Sequence, residues 1–220
     1  MSEQGDLEKV KQLFAYVNQE NISVEEMGVK NNEVNPGKKP RLVDTNCGFT
    51  PNSGSTPLIS AAFYGHHQVC AYLITEQNAN LEARDDDQFT ALIHAASSNK
   101  TEVIKVLLQK NANVKAKSKC GIHAAYLAAD YGYLEALKIL VEKDEDVINL
   151  KGLNGETPLI TASGWGNVDV CKYLVEEKNA NVDLKDDTGM TALKHADDLH
   201  ADRVYEHAEI IKIFKKRRIK

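Results

Sequence analysis

The sequence predicts an all-α solenoid of about five helix-pair repeats preceded by a half repeat, and three observations lead there. One segment recurs as TPLISAA at Thr56, TALIHAA at Thr90, HAAYLAA at His123, TPLITAS at Thr157 and TALKHAD at Thr191, at offsets of 33 or 34 residues. Each copy is followed by a second, more apolar segment of helical periodicity, as in GHHQVCAYLI and GNVDVCKYLV. Asn-Ala-Asn then follows at Asn78, Asn111 and Asn179.

The first helix of each repeat is predicted from its start. Thr56 and Thr157 can accept hydrogen bonds from the free N–H groups of a helix start, while Pro57 and Pro158 sit at the first helical position, where no N–H is required. The pairs Ala61-Ala62, Ala95-Ala96 and Ala128-Ala129 carry almost no side chain, so first helices can lie close together. In the second helices the apolar residues form one stripe per repeat: Val69, Cys70, Leu73, Ile74; Val103, Ile104, Leu107, Leu108; Ala136, Leu137, Leu140, Val141; and Val170, Cys171, Leu174, Val175. After glycine, Asn is the residue best suited to a left-handed C-cap, which fits Asn78, Asn111 and Asn179 to helix ends.

The period alone fits both ankyrin and tetratricopeptide repeats, but Thr-Pro-Leu opening a small-residue helix, with Gly-x-x-x-Val opening the next, resembles the ankyrin repeat. The resemblance implies an ankyrin-repeat solenoid in which polar runs such as EARDDDQF and DLKDDTGM form short hairpin-like finger loops. It also implies a protein-protein interaction module, not an enzyme, whose partner contacts come from the finger tips and the ends of first helices. Carried onto this chain, those positions are Phe63 and Tyr64; Asp86, Asp87, Phe89, Ser97 and Ser98; Lys119, Ile122, Asp130 and Tyr131; Leu153, Asn154, Glu156 and Trp165; and Asp187 and Met190. Among these, Tyr64, Asp86, Asp87, Phe89, Tyr131, Leu153, Trp165 and Asp187 are the partner-binding candidates. Tyr64, Ser98, Tyr131 and Trp165 are equivalent in successive repeats, so three aromatics are expected along one row. A dedicated single-partner regulator, an inhibitor or an assembly chaperone, is the alternative role.

Where the family signature has His, this chain has Ile59, Ile93, Tyr126, Ile160 and Lys194, which puts the family's Thr–His hydrogen-bond network in question. The third copy departs furthest, with His123 in the Thr position, and predicts a poor helix cap.

The expected boundaries are an N-terminal half repeat at 1–21, supplying an outer helix; an inserted loop at 22–53; repeats at 54–86, 87–119, 120–153 and 154–187; and a C-terminal capping repeat with a basic tail at 188–220. Asn, Pro and Gly enrich the insertion, and about six extra residues lie around Asp197 to Glu206. Asp197 and Asp198 replace the small inner pair, as suits a last repeat whose outer face meets water.

Composition removes other classes. A formal charge of −5 gives no general attraction to nucleic acid or an anionic membrane, and favours a neutral or basic partner protein bound by a monomer. Neither a signal peptide nor a long apolar run is evident, which predicts a cytoplasmic protein, while Lys215-Lys216-Arg217-Arg218 is similar to a short nuclear-import signal and also suits the end of a helix. Cys47, Cys70, Cys120 and Cys171 have no zinc-type spacing; Cys70 and Cys171 fall on apolar helix faces and are expected as reduced core thiols. Gly164-Trp165-Gly166 lacks the third glycine of a dinucleotide loop, His66-His67 would point apart on a helix, and His94 and His123 are expected to be structural. No cofactor, metal or catalytic residue is assigned.

Overall fold

The computed structural model describes residues 54–197 and 204–217. The expected half repeat at 1–21, the whole insertion at 22–53, residues 198–203 after Asp197 and residues 218–220 lie outside the described residues. Among the described residues ten α-helices follow in order: α1 Pro57–Tyr64, α2 His67–Thr75, α3 Ala91–Ser97, α4 Thr101–Gln109, α5 Ala124–Asp130, α6 Leu134–Lys143, α7 Pro158–Gly164, α8 Val168–Lys172, α9 Ala192–Asp197 and α10 Val204–Arg217. They form five pairs, the first four joined by short turns. Among the described residues no strand occurs, only an isolated antiparallel bridge between Lys185 and Thr191.

Each first helix starts as its sequence dictates. Thr56, Thr90 and Thr157 are extended N-caps whose hydroxyls accept from Ile59, Ile93 and Ile160 N–H at 3.3, 3.4 and 3.3 Å. His123 corrects the expectation of a poor cap, because its Nδ1 accepts from Tyr126 N–H at 3.3 Å and its Nε2 faces the Leu150 carbonyl at 3.1 Å. Both contacts are met by a neutral ring carrying its proton on Nε2. Burial drives the same state, pushing the His123 pKa down to about 4.

First helices pack on one another in the order α1, α3, α5, α7, α9, and the second helices form an outer layer behind them. The alanine pairs make this possible: Ala62, Ala95, Ala96, Ala128 and Ala129 are all wholly buried. The stripe of the second helices is equally buried at Cys70, Val103, Ile104, Leu107, Leu137, Leu140, Cys171 and Leu174. Cys70 and Cys171 are free thiols, raised to about 12 by burial, as core positions require. The expectation of reduced core thiols, made for Cys70 and Cys171, therefore holds, while Cys120 is disulfide-bonded.

Three positive-φ series mark the repeat. Asn78, Asn111 and Asn179 take φ of 51°, 64° and 51° after the second helices, the left-handed caps their sequence predicts. Gly65, Asn99, Gly132 and Gly166 turn between the helices of a pair, and Gly54, Gln88, Gly121, Gly155 and Gly189 turn at the finger tips. The second Asn of each Asn-Ala-Asn run closes an Asx turn: Asn80, Asn113 and Asn181 side chains each accept from the amide two residues on, at 3.0 Å.

Successive fingers are tied by a ladder of cations. Arg84 donates to the Lys117 carbonyl at 2.7 Å, Lys117 to the Lys151 carbonyl at 2.7 Å, and Lys151 to the Lys185 carbonyl at 2.8 Å. At the far end, α10 carries Lys215, Lys216 and Arg217 in its last turn; Arg217 donates to the Val175 carbonyl at 3.0 Å and Lys216 to Glu176 at 3.2 Å. Lys216 and Arg217 therefore close the end of the preceding repeat, the structural role that a helix terminus favours.

Candidate interaction surface

Finger tips and first-helix ends are adjacent because each finger runs directly into the N-cap of the next first helix. Two fingers share one internal device. Asp85 Oδ1 accepts from Asp87 N–H at 3.1 Å and Phe89 N–H at 2.8 Å, while its Oδ2 meets His94 Nε2 at 2.8 Å. Asp186 Oδ1 accepts from Thr188 N–H, Thr188 Oγ1 and Met190 N–H at 2.9, 2.7 and 2.9 Å, and its Oδ2 meets His195 Nε2 at 2.7 Å. Burial alone would raise the Asp186 pKa, but the bonds from Thr188, His195 and Met190 outweigh it and hold it down at about 2. A histidine network thus exists, one residue later than the signature position, and it joins His to Asp instead of Thr.

The candidate residues fall into three groups. Asp86 and Asp187 are exposed, and Asp87 is half-buried. Asp86 and Asp187 lie against Gly54 and Gly155 of the preceding finger, where a Cβ would collide with the carboxylates. Tyr64, Tyr131 and Trp165 are half-buried, at the same place near the ends of α1, α5 and α7. Tyr64 packs edge-to-face on Phe63, with centroids 5.1 Å apart, and Tyr131 stacks on Tyr133 at 5.5 Å. Trp165 Nε1 donates to Asp130 Oδ1 at 2.6 Å, and the same oxygen accepts from Thr161 Oγ1 at 2.5 Å. Trp165 therefore also braces two neighbouring repeats, whereas the ring contacts of Tyr64 and Tyr131 lie within one helix pair.

Phe89 departs from its expected place. It is 1% exposed and packs with Ile93, Ile122, Tyr126 and Leu127, because Gln88 at φ 64° turns the chain back under α3. Ile122 and Glu156 are likewise buried, at 0% and 3%. Leu153 is half-buried and packs against the same cluster. Of the candidate residues, Tyr64, Tyr131, Leu153, Trp165 and the acidic tips thus keep surface open to solvent, and Phe89 does not.

Sequence reasoning did not single out the Asp85–His94 and Asp186–His195 pairs, whose partners stand nine residues apart. The repetition of Asp before the tip and His inside the next helix, in two copies of the repeat, is the signal that could have found them.

No helix among the described residues is long and apolar enough to cross a membrane. None of the curated proteins matches the chain. A family model described as Ankyrin repeats (3 copies) matches residues 1–118 and 122–216, nearly the whole sequence, and agrees with the paired helices, Thr caps and finger turns described above. The chain belongs to the ankyrin-repeat family.

Proposed function

We propose that this protein binds a partner protein across the ends of its first helices and its finger tips. Ankyrin repeats are generally protein-protein interaction modules and are typically non-enzymatic. The observation that carries the reading here is the row of half-buried rings at Tyr64, Tyr131 and Trp165 beside the exposed carboxylates Asp86 and Asp187. Rings held in place lose little entropy on binding, and aromatic anchors dominate many interfaces. The acidic tips favour a partner with a neutral or basic contact surface and speed its approach.

The test is site-specific photo-crosslinking of a partner captured from the source cells. Crosslinkers at Tyr64 and Asp187 should capture it, and one at Glu102, exposed on α4 in the outer layer, should not. Crosslinks confined to Glu102 would refute the proposal. In the same assay, Trp165→Ala should weaken the captured partner's binding by about thirtyfold and Asp86→Ala by less, since central aromatics outweigh rim charges.

A further inference from the structure

We infer that the junction of the fourth and fifth helix pairs is a divalent-metal site formed by Glu156, Asp186 and His195. One ligand atom from each side chain lies within 4.8 Å of the other two, and the three residues are 3%, 7% and 7% exposed. Their supports are already in place. Asp186 Oδ1 is held by Thr188 and Met190, which leaves Oδ2 turned toward His195, and Tyr126 O–H donates to Glu156 Oε2 at 3.2 Å. Contacts of this kind orient metal ligands and sharpen affinity. One imidazole with two carboxylates is a mixed nitrogen and oxygen set suited to Zn²⁺, Mn²⁺ or Fe²⁺.

Coordination changes one hydrogen bond. The metal takes the His195 Nε2 lone pair, so a proton shared between Nε2 and Asp186 must leave that nitrogen; the neutral ring then carries its single proton on Nδ1, and any second proton passes to solvent. The Nε2–Oδ2 separation then opens from 2.7 Å by about half an ångström, since two atoms about 2.0–2.1 Å from one tetrahedral ion stand about 3.3 Å apart. The molecule supplies its own control, because Asp85 and His94 make the same pair at 2.8 Å, but Ser55 occupies the place of Glu156 there. That pair offers two ligands instead of three.

The test is titration of Zn²⁺ alone into the chelator-treated full chain at pH 7, followed by calorimetry and thermal melting. One ion per chain is expected, with a rise in Tm that a chelator reverses. Glu156→Gln should weaken binding at least tenfold, and Asp85→Asn should leave it unchanged. Absence of saturable binding, or equal affinity in Glu156→Gln, overturns the inference and in the latter case moves the ion to surface groups such as His66 and His67. Should Glu156→Gln fail to fold, Co²⁺ added to the wild-type chain decides: visible bands of a low-symmetry nitrogen and oxygen site support it, and the spectrum of hexaaquo Co²⁺ overturns it.

Discussion

The fingers that carry Asp85 and Asp186 use the same backbone device and set it in opposite surroundings. Around His94 stand the rings of Phe89 and Phe63, with centroids 5.3 and 5.9 Å away, and the neighbouring cluster of Ile93, Ile122, Tyr126 and Leu127 is apolar. Beside His195 stands the buried carboxylate of Glu156, reached in turn by Tyr126 O–H. Further along the same repeats, Thr161 and Trp165 both donate to Asp130. A repeat therefore fixes the loop geometry, and the residues flanking it decide whether a junction is held by apolar area or by hydrogen bonds. The first kind is sensitive to lost volume and the second to lost donors and to protons.

The largest expected effect tests the apolar junction. Phe89→Ala should destabilise the protein by about 3–5 kcal/mol, the cost of deleting a buried aromatic ring, measured by urea unfolding. A loss under about 1 kcal/mol would show that Phe89 is a surface residue after all and restore it to the partner face.

Acid should reach the polar groups in two separate windows. Between about pH 6.5 and 4 the unfolded chain binds a proton at His123 that the folded chain does not, so stability falls as pH drops through that window, by about 3 kcal/mol in total. Asp186 acts in the same direction at lower pH: its folded pKa of about 2 lies below the unfolded value, so its contribution is present above about pH 4 and is lost as pH falls toward 2. His123→Thr keeps a helix-capping side chain and should flatten the pH 6.5 to 4 slope. Urea midpoints that shift equally between pH 7 and pH 5 in both proteins would show that His123 does not set the slope.

Trp165→Phe keeps most of the ring and removes the N–H given to Asp130, so it should cost about 1 kcal/mol, and more if Asp130 is left short of donors. Thermal melting measures it. No change in Tm would mean that the indole bond adds nothing to the polar junction. The smallest effect has the other sign: Gln88→Gly should stabilise the chain by about 0.5–1 kcal/mol, since Gln88 holds φ 64° where Gly121, Gly155 and Gly189 stand in other fingers. A destabilised variant would indicate that the Gln88 side chain makes up for its backbone cost.

Local features were legible in the sequence. Thr56, Thr90 and Thr157 announce their caps, the alanine pairs announce close helix packing, and Asn78, Asn111 and Asn179 announce left-handed turns, because each acts within a few residues of itself. His123 misled because an imidazole nitrogen can take the place of a hydroxyl as a cap acceptor, which a preference for Thr does not reveal. Phe89 misled because its position in the repeat belongs to the finger, while the turn at Gln88 buries its ring. Glu156, Asp186 and His195 come from two fingers and a helix, so only the stacking of one repeat on the next brings them together.

The ladder from Arg84 through Lys117 and Lys151 to the Lys185 carbonyl has a mechanical consequence. Its links lie in series along the stack, each joining one finger to the next and none spanning two. Tension applied between the ends of the solenoid is carried by every link, yet breaking one loosens a single joint and leaves the other repeats packed. Extension should therefore proceed in steps of one repeat, with force dropping and recovering at each, so that the molecule behaves as a short chain of breakable springs.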